Sequence, residues 1–301
     1  MRKIGIIGAG VVGTAVGVIL SSKGYEITGV CDINPESTKY LAERTGALIC
    51  RTPQDVARSS EILFITTSDG VIGDIVNAVA RAESFAREQL IVHMSGALTS
   101  DVLAPAKMFG AFTVSIHPMQ SFAGVEQAVQ NLPGSVFSIE GDQEAHGLAS
   151  KLVEDLDGDY FVIDKKDKPL YHAGACVVSN YLVTLIDVGL QLLESTGIPR
   201  QKALKAFVPL INGTLSNIEK IGIPKALTGP IARGDILTVL KHLDSMSETA
   251  PELKKIYSWL GYYTADVAAA KGTIDQAAMD KFKQMFLREL AGRKRARAGG
   301  E

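Results

Sequence analysis

The residues most suited to chemistry are three spaced glycines near the start of the chain and an acidic residue, Asp32, about 20 positions further on. The glycines lie in the run Gly8-Ala9-Gly10-Val11-Val12-Gly13, directly after the apolar residues 4–7. The first glycine permits a tight turn, the second leaves room for a pyrophosphate, and the third lets the next helix pack closely on the strand. That helix directs its N-terminal amides and its dipole towards the phosphates. The order predicts a dinucleotide-binding turn; a purely structural glycine-rich turn is the alternative.

Asp32 bears on which dinucleotide is bound. A carboxylate after the second strand accepts hydrogen bonds from the ribose hydroxyls and repels a 2′-phosphate. The residues that follow it, Ile33, Asn34 and Pro35, provide no arginine for that phosphate. The sequence therefore predicts NAD as the cofactor, and NADP stays open.

Small hydroxyl residues follow the fourth predicted strand, in the segment Thr66-Thr67-Ser68-Asp69. In a doubly wound sheet, ligands bind across the carboxyl ends of the strands. Thr66, Thr67 and Ser68 are therefore predicted to contact the cofactor. Alternatively, Ser68 or Asp69 caps the following helix, and the two roles are compatible.

Two further strand ends present candidate substrate residues. Ser95 follows the fifth strand and is predicted to face the nicotinamide end of the cofactor. His117 ends the sixth strand, where Pro118 restrains it. Hydride transfer at a carbinol carbon needs a partner for the hydroxyl proton, and an imidazole with a pKa of about 6.5 suits that work. His117 is thus predicted to be an acid/base residue, or else a structural histidine, whereas His93 is predicted to belong to the core.

The second half of the chain adds a polar line on a long apolar helix. His172, Cys176 and Asn180 recur at four-residue spacing and so share one face. Asn180 is predicted to orient the substrate, and Cys176 to be a small core residue. Arg233, in a loop dense in glycine and proline, is predicted to clamp a substrate carboxylate or a cofactor phosphate. The alternative for Arg233 is an ion pair with Asp235.

A parallel sheet is needed to bring these residues together, and the first half of the chain has its pattern, since short apolar runs alternate with helical periodicity. Strands are predicted at residues 3–7, 26–30, 47–50, 62–66, 90–93, 112–116, 135–140 and 160–163. Helices are predicted at residues 11–22, 36–45, 53–57, 71–82, 142–156, 171–195, 200–220, 236–245, 251–271 and 275–290. Asp235 and Asp275 are expected to cap two of them.

The charged segment 164–169 ends the strand signals and marks the expected domain boundary. The predicted fold is therefore α/β: a Rossmann domain with a doubly wound, mainly parallel sheet over residues 1–164, then an all-α domain over residues 165–301. By analogy with enzymes of this architecture, the helical domain is expected to supply substrate groups and a homodimer interface.

Composition narrows the partners and the compartment. A net charge of −2 favours neither nucleic acid nor an anionic membrane, and the basic run at 293–297 is read as a solvated helix end. Cys31, Cys50 and Cys176 lie far apart without metal-ligand spacing, so no metal is expected and a reducing cytoplasm is favoured. The chain enters a strand directly, so no signal peptide is expected. Residues 173–193 are long enough to span a bilayer, but Asn180 and Asp187 favour a buried central helix.

Taken together, the motifs resemble one family. They are the fingerprint, the element His-Pro-Met-Gln-Ser-Phe at 117–122, the Tyr-His-Ala…Ser-Asn helix start at 171–180 and the loop Leu-Thr-Gly-Pro-Ile-Ala-Arg-Gly-Asp at 227–235. The chain resembles, over its whole length, the oxidoreductase-like proteins with a Rossmann-like domain and a C-terminal helical domain of unknown function (DUF2520 type). This group looks related to the 6-phosphogluconate, 3-hydroxyisobutyrate and prephenate dehydrogenases and to pyrroline-5-carboxylate reductase.

The resemblance implies a nicotinamide-dependent oxidoreductase of unspecified substrate. Prephenate dehydrogenases carry a catalytic histidine in a His-Pro-Met element, which corresponds to His117. The hydroxyacid dehydrogenases place a catalytic lysine four residues before a helix asparagine; Asn180 matches the asparagine, but Cys176 stands at the lysine position. That departure argues against the lysine-based mechanism.

Two hypotheses follow. The first is an enzyme that transfers a hydride between nicotinamide and a small carbonyl, alcohol or imine, with His117, Asn180, Ser95 and Arg233 as its site residues. The second is a regulatory protein that binds a dinucleotide without chemistry, which the missing lysine favours. The enzyme is preferred.

Overall fold

The computed structural model describes residues 2–291. The basic run at 293–297, with its predicted solvated helix end, lies outside the described residues. Eight strands form one sheet in the order β3-β2-β1-β4-β5-β6-β7-β8. All neighbours are parallel except β6 and β7, which are antiparallel. The strand order reverses between β1 and β4, which is the switch point of a doubly wound sheet.

The predicted strands are all present, with ends that differ by one or two residues. They are β1 (Lys3–Ile7), β2 (Glu26–Cys31), β3 (Leu48–Ile49), β4 (Ile62–Ile65), β5 (Leu90–His93), β6 (Phe112–Pro118), β7 (Val136–Gly141) and β8 (Asp159–Val162). The helices between them are α1 (Val11–Ser22), α2 (Pro35–Thr45), α3 (Pro53–Arg58), α4 (Asp69–Arg81), α5 (Ala104–Lys107), α6 (Val125–Asn131) and α7 (His146–Asp155).

Helices cover both faces of the sheet, as its apolar strands require. On one face, α1, α2, α6 and α7 pack over a core that includes Ile4, Ile6 and Phe64. On the other face, α3, α4 and α5 pack over Ile65 and Ile91. Because side chains alternate along a strand, each strand contributes to both cores. The sheet is thus buried on both sides, and its carboxyl edge is left to carry polar residues.

As far as residue 291, where the description of the chain ends, helices alone follow the last strand. They are α8 (Lys168–Val178), α9 (Asn180–Glu194), α10 (Arg200–Ile221), α11 (Ile236–Thr249), α12 (Pro251–Lys271) and α13 (Gln276–Leu290). The carboxylates of Asp235 and Asp275 cap α11 and α13 by accepting from the backbone N–H of Thr238 and Ala278, as predicted. Helices α12 and α13 enclose a small core that contains Phe282 and Phe286.

The prediction of a single, buried helix at 171–195 is wrong in two respects. The helix is divided at Ser179 into α8 and α9, and its burial also differs from the prediction. The stretch Lys165–Glu194 is long and apolar enough to cross a membrane by length and composition, yet only 11% of its apolar window is buried within the chain. Tyr181, Val183 and Leu185 are among its exposed side chains. The polar residues Asn180 and Asp187 suggested a helix buried within the chain, whereas a single chain leaves most of its apolar side chains uncovered.

The chain divides into two compact units, the first ending at Asn180 and the second beginning at Tyr181. This division lies one helix later than the boundary predicted at 164/165. The reason is that α8 packs on the sheet through Lys168, whose side chain is fully buried there. The charged segment before α8 is therefore a surface connection within the first unit.

Two cysteines that are distant in sequence are neighbours in the sheet. β2 pairs in parallel with β3 up to Val30 and Ile49, and Cys31 and Cys50 come next on the two strands. Both thiols contact the same apolar cluster. Cys31 and Cys50, which are far apart in the sequence, are therefore close in space, and all three cysteines are free.

Candidate active site

The glycine turn has the geometry that a dinucleotide requires. Gly8 has a φ of +100°, and a Cβ there would lie 2.7 Å from the carbonyl carbon of Thr66. A Cβ on Gly13 would lie 2.0 Å from the Gly8 oxygen, so the expected close packing of helix and strand is present. A Cβ on Gly10, by contrast, would meet nothing within 4 Å. The open space therefore lies at the glycine where a pyrophosphate would approach.

The N-terminus of α1 is suited to an anion. Gly10 is its N-cap, and within the described chain no side chain caps it and no acidic residue occupies its first turn. Its N-terminal dipole therefore faces the open space without an acidic residue of its own first turn in competition. The residues present fit a nicotinamide dinucleotide, which would supply or accept a hydride when bound.

Asp32 lies at the carboxyl end of β2 and is tied to the glycine turn. Its carboxylate accepts from the backbone N–H of Ala9 at 2.7 Å and from that of Asn34 at 2.8 Å. A carboxylate has about four acceptor positions, so it keeps capacity for ribose hydroxyls. Arg51 is exposed and comes two residues after the end of β3, the strand that pairs with β2. The sequence prediction missed Arg51 as a candidate for binding a 2′-phosphate, because it took account only of the residues directly after Asp32.

The hydroxyl segment after β4 divides its work. The Thr66 hydroxyl donates to the Gly8 carbonyl at 2.6 Å and so fastens the turn to β4. The Thr67 hydroxyl is buried and has no hydrogen-bond partner among residues 2–291. Ser68 is the N-cap of α4, but its hydroxyl makes no capping bond. The alternative of a side-chain cap at Ser68 is therefore wrong, and the Asp69 carboxylate serves another residue.

The Asp69 carboxylate forms a hydrogen bond with Ser95. The Ser95 hydroxyl donates to Asp69 at 2.8 Å and accepts from the backbone N–H of Ala97 at 3.2 Å and of Leu98 at 3.0 Å. These bonds occupy the hydroxyl in a turn. Ser95 therefore shapes the loop after β5.

His117 lies at the end of β6, where the strand presents it beside the first turns of α8. Its Nδ1 is 2.8 Å from the hydroxyl of Tyr171, and the two rings meet edge to face. Burial lowers the pKa of His117 to about 4, and repulsion from the nearby Lys168 and His172 adds to the effect. The imidazole is thus neutral near pH 7. Burial also raises the pKa of Tyr171.

A polar patch on β6 and β7 accounts for this arrangement. In the antiparallel register, Ser115 faces Glu140 and His117 faces Ser138, and all four point to one face of the sheet. Helix α8 lies over them. Tyr171 contacts His117, of the pair His117 and Ser138. Lys168, one turn earlier, contacts the other pair, Ser115 and Glu140.

The Lys168 ammonium is fully buried in this patch. It donates to the Ser115 hydroxyl and lies 3.9 Å from the Glu140 carboxylate. Glu140 in turn accepts from the backbone N–H of Ser100 at 2.8 Å and from its hydroxyl at 2.7 Å. Burial lowers the pKa of Lys168 to about 8, against the opposing attraction of Glu140 and Asp69. The charge is therefore compensated by a carboxylate and by hydrogen bonds.

His93 lies on the same edge and is only partly satisfied. Its Nδ1 accepts from the backbone N–H of Ser95 at 3.2 Å, while its buried Nε2 has no partner in residues 2–291. Burial lowers its pKa to about 3, with a further contribution from Lys168. His93 is in the core, as expected, but it is not the fully bonded core histidine that the sequence suggested.

His172 approaches His117 across Gly96. A Cβ on Gly96 would lie 2.6 Å from His117 Nε2 and 2.6 Å from His172 Nδ1. The other nitrogen of His172 lies 3.6 Å from Cys176 Sγ. Only glycine fits at this position of the loop after β5.

The sequence reasoning missed Lys168 and Tyr171 as site residues. Lys168 was read as part of a charged surface connection, because Lys165, Lys166 and Asp167 precede it. One signal was available: Lys168 is four residues before His172 and eight before Cys176, so it continues their face of the helix. The alternating polar residues of β6 and β7 were a second signal that something polar must cover them.

Asn180 and Arg233 are less constrained. Asn180 is exposed and begins α9 after the break at Ser179, so it does not continue the face of His172 and Cys176 in an unbroken helix. Arg233 is exposed in the second unit, and among the described residues no carboxylate lies within 4.0 Å of it. Arg233 makes no direct contact with Asp235, but after the capping bonds to Thr238 its charge also lowers the pKa of that carboxyl, so the two interact at a distance.

The fold and the glycine turn define a Rossmann-type nucleotide-binding domain joined to a helical region. Residues 1–118 match the model of the Rossmann-like domain, and residues 135–264 match the domain of unknown function DUF2520. The chain therefore contains a Rossmann-like domain followed by a domain of the DUF2520 type. No curated protein matches the sequence.

Solved structures share the fold. A Thermotoga maritima protein (TM1727) is 25% identical, with a TM-score of 0.71 over 89% of this chain and 99% of that one. An imine reductase from a Pseudomonas species is 17% identical, with a TM-score of 0.60 over 93% and 99%. The pyrroline carboxylate reductase of Plasmodium falciparum, solved with NADP bound, is 17% identical, with a TM-score of 0.57 over 95% and 98%.

Proposed function

We propose that the protein is an NAD(P)-dependent oxidoreductase that transfers a hydride between nicotinamide and a small carbonyl, alcohol or imine. The observation that carries the proposal is a group of buried polar atoms without partners. Among residues 2–291 there are six such side-chain atoms. Four of them belong to the carboxyl edge of the sheet and the helix over it: Thr67 Oγ1, His93 Nε2, Ser138 Oγ and His172 Nδ1. His93 and Ser138 still interact with the Thr99 backbone and with Tyr171, so Thr67 and His172 are the two that point most clearly to a ligand. Burying such groups costs about 1–3 kcal/mol each, so their concentration beside a dinucleotide turn favours a ligand there.

His117 is the acid/base residue in this proposal. It lies at a strand end of the same edge, and its neutral ring can donate from one nitrogen and accept at the other. Tyr171 holds Nδ1 and so leaves Nε2 as the nitrogen that can exchange a proton with the substrate. The fold shared with imine and pyrroline carboxylate reductases supports the reaction class.

Asn180 and Arg233 are retained as proposed substrate residues, Asn180 to orient the substrate and Arg233 to bind an anionic group. Ser95 is retained in a positioning role, since its hydroxyl organises the loop that carries Gly96. Each assignment separates in kinetics: loss of an anion clamp raises KM for anionic substrates only, whereas loss of an orienting group lowers kcat.

NAD is the preferred cofactor, because Asp32 repels a 2′-phosphate. Arg51 gives NADP some support as the second candidate, since a guanidinium binds phosphate well. Dissociation constants of NADH and NADPH, measured by fluorescence, decide between them. Arg51→Ala should weaken the binding of NADPH alone. Asp32→Ser should weaken the binding of NADH and strengthen the binding of NADPH.

The test of catalysis is turnover of reduced cofactor with a panel of small aldehydes, ketones and cyclic imines. We expect turnover that falls at least about a hundredfold in His117→Ala. Tight cofactor binding without turnover of any compound would instead favour the regulatory protein. Turnover unaffected by His117→Ala would remove that residue from the mechanism.

We also propose a soluble, cytoplasmic homodimer that binds neither nucleic acid nor membrane. The support for the dimer is the number of exposed apolar side chains on α9 and α10, among them Val183, Leu185, Val208 and Leu210. Exposed apolar surface of this kind marks an interface, and a second copy of the chain is the proposed occupant.

A further inference from the structure

Two imidazoles converge on one point of the first unit. His117 Nε2 and His172 Nδ1 each lie 2.6 Å from the position of a Cβ on Gly96. The two nitrogens are therefore separated by no more than twice that distance. That point itself lies one bond from Gly96 Cα and has no room for another atom, but an atom on the side away from Gly96, at a hydrogen-bond distance of about 2.9 Å from each nitrogen, can bridge them.

The far nitrogen of each ring is already occupied. Nδ1 of His117 is 2.8 Å from the Tyr171 hydroxyl, and Nε2 of His172 is 3.6 Å from Cys176 Sγ. His172 Nδ1 is buried without a partner among residues 2–291. Ring centroids 6.0 Å apart and an interplanar angle of 79° show that the rings are not stacked on each other. Both rings are thus held from behind and present a free nitrogen to the same space.

We propose that His172 is a second catalytic residue, and that His117 and His172 together bind the reacting oxygen of a carbonyl or alcohol substrate. This inference rests on the proposed oxidoreductase function and narrows its substrate class, because it selects an oxygen over an imine nitrogen.

The number of lone pairs distinguishes the two kinds of substrate. A carbonyl oxygen accepts two hydrogen bonds, and a hydroxyl donates one and accepts others, so either can pair with two ring nitrogens. An imine nitrogen has one lone pair, and its reactive protonated form has none. The second imidazole would then face a group that it cannot satisfy.

Charge favours the same substrate class. Imine reduction proceeds through a cationic iminium, which would lie beside His117. Burial, and after it the charge of Lys168, already disfavours a positive charge at that position, as the low pKa of His117 shows. A carbonyl develops negative charge on oxygen instead, which two N–H donors stabilise.

The proton balance closes with residues of this chain. In the reducing direction, a hydride from reduced nicotinamide adds to the carbonyl carbon, and the π pair moves to the oxygen. The oxygen takes the proton of His117 Nε2, while Nδ1 takes the proton of the Tyr171 hydroxyl. When the alcohol leaves, solvent water protonates Nε2 and Nδ1 returns its proton to Tyr171, which restores the starting tautomer. His172 donates a hydrogen bond from Nδ1 throughout, and alcohol oxidation runs these steps in reverse.

The test uses binding of an alcohol that resists oxidation. Trifluoroethanol is titrated into the full chain saturated with oxidised cofactor and followed by fluorine NMR. We expect His117→Leu and His172→Leu each to weaken binding about tenfold, the value of one lost hydrogen bond. His172→Asn should restore most of it, because its amide reaches the position of Nδ1. His242→Leu is the matched control, since that histidine lies in the second unit and bonds Tyr257.

Affinity for reduced cofactor, unchanged in all four variants, shows that the first unit is folded. Trifluoroethanol binding that is absent from the wild type, or equal in His172→Leu and wild type, overturns the pairing. Faster turnover of cyclic imines than of ketones overturns the substrate class but leaves the oxidoreductase in place. Absence of all turnover would overturn the proposed oxidoreductase function. A tenfold loss of trifluoroethanol affinity in both leucine variants would still support the oxygen-binding site in that case.

Discussion

At the scale of single residues, two residues of the same type have different roles because their surroundings differ. Gly10 and Gly13 belong to the same short motif. One borders open space, and the other lies against backbone, where a Cβ would be 2.0 Å from an oxygen. The two glycines therefore separate the role in binding from the role in packing.

Alanine at each position should produce opposite results. Gly10→Ala is expected to fold with unchanged stability and to lose affinity for dinucleotide, because its methyl group occupies the space for the pyrophosphate. Gly13→Ala is expected to be destabilised by about 1–3 kcal/mol through overpacking. Urea unfolding and cofactor fluorescence measure the two effects.

Gly147→Ala is the control, since a Cβ there also meets nothing within 4 Å and the residue lies within α7. Normal cofactor affinity in Gly10→Ala would show that no pyrophosphate lies at that glycine.

Lys168 and Glu140 offer a second residue-scale prediction. Lys168→Met should destabilise the protein by about 3–5 kcal/mol, because Glu140 is then buried without its cation. The double variant Lys168→Met/Glu140→Gln should recover most of that loss, since Gln can still accept from Ser100. Urea unfolding of the wild type and the variants completes a double-mutant cycle. A double variant no more stable than Lys168→Met would mean that the pair does not interact.

At the scale of elements, α8 has the largest consequence for the site. It brings Lys168 to the sheet at its start and Tyr171 and His172 one turn later, and β6 and β7 meet it with a matching set of polar residues. The end of a helix can also be set by one capping carboxylate, as at the start of α11.

Asp235→Ala should destabilise the second unit by about 1 kcal/mol, because the backbone N–H of Thr238 loses its acceptor. Arg233→Ala, two residues away, should leave stability unchanged, since its guanidinium is exposed. Thermal unfolding of both variants checks this difference. Equal destabilisation by the two changes would contradict the assignment of the cap to Asp235.

At the scale of the whole molecule, the buried histidines predict sensitivity to acid. His117 and His93 have folded pKa values of about 4 and about 3, against about 6.5 in the unfolded chain. Between these values the unfolded state binds more protons, so stability is fully present above pH 6.5 and falls as the pH is lowered. The total loss is of the order of 3 kcal/mol or more per group at the acid limit.

Urea unfolding at a series of pH values measures this slope. His93→Asn should flatten it, because asparagine does not titrate and its oxygen can accept from the Ser95 N–H. His242→Leu should not change it. A slope between pH 6.5 and 4.5 that is the same in His93→Asn and wild type would exclude His93 as its source.

The exposed helical face predicts assembly. Light scattering after size exclusion should give twice the chain mass of 32.1 kDa. Leu185→Glu, on the exposed part of α9, should shift the mass towards the monomer, because a charge cannot be buried in an apolar interface without a partner. Glu248→Gln, a surface change on α11, serves as the control. A monomer in the wild type would remove the proposed dimer.

The sequence by itself determined the order of strands and helices, the glycine turn and the place of His117 at a strand end. These depend on local features: the period of apolar residues, backbone freedom at glycine, and helix caps. The sequence did not determine that Lys168 would be buried, that Cys31 and Cys50 would be neighbours, or that α8 and α9 would expose an apolar face. Such outcomes depend on strand register and on which surfaces meet, and residues distant in the chain decide both. For the same reason, only the tertiary structure could place His172 opposite His117 at Gly96.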